Sequence, residues 1–185
     1  MTKSKLTAAG LSALALAASA LPAAAHIVLA EPTAKPGSYY AGFFRVSHGC
    51  DGSPTTTLRI EIPAGIVMAR PQPKPGWTLK VEKAPLPKPV PGEGGAMLTE
   101  RVAAISWSGR LGAEEFDQFG MMLKLPAGSG PLYFPAVQTC EKGQQRWTDI
   151  PAAGQAWHDV PRPAPVLTLQ PADGMDAMAG MHHEH

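Results

Sequence analysis

The chain has 185 residues, of which 44% are hydrophobic, and 16 Lys and Arg stand against 15 Asp and Glu. A formal charge of +1 supplies no basic face for nucleic acid, and the length suits one domain able to bury its own core. The 20 Pro and 19 Gly, spread along the chain, disfavour long helices and point to short strands joined by turns.

Lys3 and Lys5 precede an apolar run, Leu6 to Leu21, then Pro22 and the small residues Ala23-Ala24-Ala25. This is the layout of a secretory signal peptide over residues 1–25. The run is too short and too rich in small residues for a membrane span of about 20 residues. Cleavage after Ala25 makes His26 the first residue of a periplasmic or secreted chain with no membrane span. In an exported chain Cys50 and Cys140 are expected to pair as one disulfide; a thiolate metal site is the competing reading.

Ile27-Val28-Leu29 reads as a short strand, Pro32 to Gly37 as a turn, and Tyr39 to Ser47 as a second strand. His48 to Pro54 is a polar loop. Thr55 to Ile62 alternates, with Leu58, Ile60 and Ile62 on one face, the period of a half-buried strand. The prolines at 71, 73 and 75 predict a stiff extended connection. Trp77 to Val81 alternates again, and Pro85 to Gly95 reads as an exposed loop. Val102 to Trp107 and Phe116 to Leu125 are further strands, the second with Phe119, Met121, Leu123 and Leu125 on one parity. Gly109 to Glu115 has room for a turn of helix. Leu132 to Val137 leads into Cys140, Gln145 to Ile150 pairs nearby, and Val166 to Leu169 is the last strand. The pattern predicts an all-β fold: a single, mostly antiparallel β-sandwich over residues 26–170, with immunoglobulin- or cupredoxin-like layering. Residues 171–185 lack large apolar side chains other than Met and read as a disordered tail.

Two features point to metal. An N-terminal His26 offers its α-amine and ring Nδ1 to one ion, and nitrogen donors of this kind suit copper, which tops the divalent affinity order. In the tail, Met175, Met178 and Met181 precede His182, His183 and His185. Thioethers suit Cu(I) and imidazoles Cu(II), so the tail is expected to act as an auxiliary, mobile copper site. Asp51 and His48 flank Cys50 on the polar loop and are candidate ligands or ordinary turn residues. Trp77 and Trp107 are core candidates. Trp147 and Trp157 lie in turn-rich surroundings, where an indole shields a metal or packs over the disulfide. There is no Gly-x-Ser-x-Gly elbow, no His-Glu-x-x-His helix and no phosphate-binding loop, so no enzyme is expected.

The mature start His26-Ile27-Val28 with Pro32, the run Phe44-Arg45-Val46, and His48-Gly49-Cys50-Asp51-Gly52-Ser53-Pro54-Thr55-Thr56 resemble the YcnI-like domain family. So do Pro71-Gln72-Pro73-Lys74-Pro75-Gly76-Trp77 and Phe134-Pro135-Ala136-Val137-Gln138-Thr139-Cys140 with Arg146-Trp147. The resemblance implies an exported β-sandwich that holds Cu(II) in a single-histidine brace: amine and ring nitrogen of the mature histidine, a carboxylate, and a tryptophan nearby. His26 and Trp147 match those positions. Family members place a Glu before the Thr-Thr pair; here the loop holds Asp51, which takes the carboxylate role, with His48 beside it. Many relatives carry a C-terminal membrane helix, whereas the Met/His tail here is similar to tails of periplasmic copper chaperones. The expected function is copper carriage or buffering in the periplasm, with other periplasmic or membrane copper-handling proteins as partners. The alternatives are a non-metal adhesion or interaction sandwich and, less expected, an oxidative copper enzyme.

Overall fold

The computed structural model describes residues 26–170, so the expected signal peptide, residues 1–25, and the Met/His tail, residues 171–185, lie outside the described residues. In chain order the strands are β1 (Val28–Leu29), β2 (Thr33–Ala34), β3 (Tyr39–Val46), β4 (Thr55–Glu61), β5 (Ala69–Pro71) and β6 (Thr78–Pro91). They continue with β7 (Met97–Leu111), β8 (Asp117–Lys124), β9 (Gly130–Tyr133), β10 (Ala136–Cys140), β11 (Gln144–Trp147) and β12 (Val166–Leu169).

Two sheets, ordered β1-β3-β8-β5 and β11-β10-β4-β7-β6, face each other, and a third, β2-β12-β9, lies beside them with β12 against β1. All pairings are antiparallel except β12 with β2. The architecture is the expected all-β sandwich, closed by a Cys50–Cys140 disulfide across 90 residues.

Alternation explains the layering. Phe44 and Val46 of β3, Leu58 and Ile60 of β4, and Phe119, Met121 and Leu123 of β8 all point into one core. Burying each such side chain contributes roughly 1.5–3 kcal/mol. The aromatic centre joins the sheets: Phe119 meets Trp107 at 5.6 Å and Trp77 at 4.9 Å between ring centroids, both edge to face. Phe119→Ala is expected to cost about 3–5 kcal/mol, read by urea unfolding, because it empties this junction.

Several sequence expectations need correction. Pro85 to Pro91 is not a loop but the second half of β6, with Pro85 opposite Glu100 and Pro91 opposite Met97. β6 is an edge strand, so prolines at alternate positions can turn their missing N–H away from β7 at no cost to the ladder. Gly109 to Leu111 continues β7 rather than forming helix, and a turn follows in which Gly112 N–H donates to the Glu115 carboxylate. The Pro32–Gly37 turn contains the two-residue β2. Leu132 to Val137 is interrupted, because Phe134 and Pro135 lie between β9 and β10.

The β6–β7 hairpin tip reaches back to the other sheet. Glu93 accepts from Arg70 at 2.6 Å and from the Tyr39 hydroxyl. These partners hold its carboxyl below the usual carboxylate range.

Candidate functional site

β1 runs antiparallel to β3 with Val28 opposite Arg45. The chain ahead of Val28 therefore lies at the end of the sandwich where β3 leaves Val46 for Ser47 and His48. His26 sits there, half-buried, before the first strand.

Its ring lies between two tryptophans. The centroid distance is 5.3 Å to Trp147 and 5.2 Å to Trp157, with interplanar angles of 61° and 57°. Trp147 closes β11, opposite Ala136 of β10, on the buried side of the sheet. Its indole Nε1–H is buried and has no hydrogen-bond partner among the described residues. A buried donor left unpaired costs about 1–3 kcal/mol, so an acceptor beside this atom would be favoured.

Trp157 comes from a loop that is stapled down. Its Nε1–H donates to Ala164 O at 2.7 Å. Ala164 N–H in turn donates to Asp149 O at 2.9 Å, and the Asp149 carboxylate accepts from Arg162 N–H at 3.0 Å. Asp149 stands two residues beyond Trp147, so one short segment positions both indoles. Asp149→Ala is expected to lower stability by about 1–2 kcal/mol and to red-shift tryptophan emission as Trp157 becomes more exposed.

His48 is exposed, with Nδ1 2.5 Å from Gly49 O. Its carbonyl accepts from the buried Gln138 side chain at 2.8 Å. Gly49 is required where it is, since a Cβ there would meet Ser53 O at 2.0 Å. Asp51 is exposed at φ 48 in a turn closed by Cys50 N–H to Ser53 O and Ser53 N–H to Cys50 O. Asp is one of the few side chains that tolerate this left-handed region.

Strand β10 gives the relative positions. Ala136 faces Trp147, Gln138 faces Gln145, and Cys140 carries the disulfide to Cys50. The four residue steps from Ala136 to Cys140 span about 13–14 Å. His26 thus sits at the Trp147 rung, the His48 carbonyl at the middle rung, and Asp51 beyond the far one. Among the described residues no group of three or more His, Cys, Asp or Glu is gathered tightly enough to hold an ion. The structure brings His26 to Trp147 and does not gather His26, His48 and Asp51 into one ligand set. Met175, Met178, Met181, His182, His183 and His185 lie outside the described residues. Trp157 is the residue whose place beside His26 the sequence left open between metal shielding and disulfide packing; it stands over His26. Among the described residues no helix is long and apolar enough to cross a membrane.

The architecture is that of an immunoglobulin-like sandwich with an aromatic-walled histidine at the start of its first strand. A solved structure described as an uncharacterized protein from Nocardia farcinica with an immunoglobulin-like fold is similar over 78% of this chain and 97% of that one. The identity is 26% and the TM-score 0.57. The chain belongs to the DUF1775 family, a domain of unknown function, whose model matches residues 26–169; this is the family to which YcnI-like proteins belong. No curated protein shows significant similarity to it.

Proposed function

We propose that the mature chain binds Cu(II) at His26 and carries or buffers copper in the periplasm, as a binding protein rather than an enzyme. The observation that supports this most is the His26 ring held between Trp147 and Trp157 at the point where signal cleavage frees the α-amine. That amine has an ordinary pKa of roughly 7.7–8.0, so copper displaces one weakly held proton. Amine and ring Nδ1 then supply two nitrogen donors. The unpaired Trp147 N–H fits an oxygen ligand of the ion, either water or a carboxylate. In this reading Asp51 supplies the carboxylate and His48 stands by; the disulfide-bearing turn has to move toward His26 for either to bind. The two indoles exclude water and polar competitors from the ring. Met175, Met178, Met181, His182, His183 and His185 form the auxiliary site, with the thioethers suited to Cu(I), and copper-handling proteins of the periplasm or membrane are the exchange partners.

The test is electron paramagnetic resonance of the protein beginning at His26, with one equivalent of Cu(II). Two nitrogen couplings are expected, together with a changed spectrum in Asp51→Ala. A spectrum identical in His26→Ala would end this reading.

A further inference from the structure

The hairpin tip that crosses to Tyr39 and Arg70 leaves a groove of about 470 Å³ beneath it. Val67, Met68 and Leu98 supply apolar lining, and Lys124 stands on its rim. Arg70 is already committed to Glu93. Lys124 is not committed in this way: its Nζ donates to Gly37 O at 2.6 Å and lies 4.6 Å from the Tyr39 ring centroid. Among the described residues no carboxylate pairs with it. An ammonium has three donors, so two remain for an incoming anion.

The described chain ends beside this rim. Gln170 N–H donates to Ala34 O at 3.0 Å. Ala34 is three residues from Gly37, a separation of at most about 11 Å. Residues 171–185 therefore follow on from a point at the Gly37 and Lys124 end of the sandwich, the end opposite His26. They carry Asp173, Asp176 and Glu184 with no Lys or Arg, against a domain with 14 Lys and Arg and 12 Asp and Glu. Asp173 to Met178 lie three to eight residues beyond Gln170, a reach of up to about 10–28 Å. That stretch alternates acids with Met175 and Met178, matching a groove with a cation on its rim and thioether-compatible walls.

We propose that residues 171–185 of this chain dock in the groove under the β6–β7 tip, with Asp173 and Asp176 at Lys124 and Met175 and Met178 against Val67, Met68 and Leu98. A tail tethered this closely acts at an effective concentration in the millimolar range, so a contact that is weak between separate molecules suffices within one. The docking does not rest on the copper reading. If both hold, the docked state covers two of the tail thioethers and separates the tail from His26 by the length of β3, about 24 Å.

The test is hydrogen exchange on the metal-free mature chain, followed at residues 67–70 and 91–98. With the tail docked in nine molecules of ten, exchange there is about tenfold slower than in the full-length Asp173→Lys/Asp176→Lys variant. That variant leaves the domain untouched, so its folding is not at issue. Lys124→Glu removes the protection, and combining it with the two tail lysines restores it. Salt near 1 M, where the screening length is about 3 Å, weakens the protection. Equal exchange in the wild type and the tail variant overturns the proposal. So does protection that grows with protein concentration, which would assign the groove to a second copy.

Discussion

Replacing His26 by Ala in the mature chain is expected to weaken Cu(II) binding by roughly 10²–10⁴-fold, the range gained when two binding groups are joined on one frame. The measurement is competition with a chelator of known affinity, with His182, His183 and His185 replaced so that tail imidazoles do not mask the loss. A second variant isolates the amine. Acetylating the His26 α-amine keeps the ring and its contacts at 5.2 and 5.3 Å to the two indoles, but ties the nitrogen into an amide with no new amine beside it. It is expected to lose affinity on the same scale. Retained affinity in the acetylated chain would leave the imidazole alone as the donor and remove the brace. Folding does not confound either variant, because no side-chain hydrogen bond ties His26 down among the described residues and its burial is partial. The pH dependence has a definite sign: the amine must lose its proton to bind, so affinity rises with pH up to about 8 and levels off above it.

How far the sequence announced this arrangement depends on the range of the interaction involved. β4 and β8 were legible residue by residue, because a strand buried on one face writes its burial into alternate positions: Leu58 and Ile60, Phe119, Met121 and Leu123. The proline half of β6 was not legible, since composition does not say that the strand is an edge or which way its unpaired side faces. The disulfide followed from the expectation of export and from the cysteine count. The meeting of His26 with Trp147 followed from family resemblance, and no pattern in the chain encodes it. Trp157 reaches the same ring only because Asp149 closes the loop from 149 to 164, a set of backbone bonds that leaves no periodic trace. Asp51 illustrates the converse case. Its neighbourhood in sequence fitted a ligand role, while its place in space is set by Cys140, four residues along β10 from the rung of Trp147.

That placement makes removal of the disulfide the more informative stability experiment. Cys50 and Cys140 are 90 residues apart, and in the loop-entropy model a closure of this size stabilises by about 4–5 kcal/mol. The Cys50→Ala/Cys140→Ala variant is expected to lose that amount in urea unfolding, with a drop in Tm of about 10–20 °C for a domain of this size. Reduction of the wild-type protein should reproduce most of the loss. The effects on the two ends of β10 differ. Trp147 and Trp157 are held by strand pairing and by Asp149, so the His26 end keeps its geometry while the variant remains folded. The turn at Asp51 keeps its Cys50–Ser53 bonds but loses its covalent anchor to β10. Below the lowered Tm, Cu(II) affinity in the variant should then stay within about tenfold of wild type if His26 supplies the dominant donors, the scale of an outer supporting contact. A loss matching that of His26→Ala would show that the anchored turn, and Asp51 with it, is an equal partner in holding the ion.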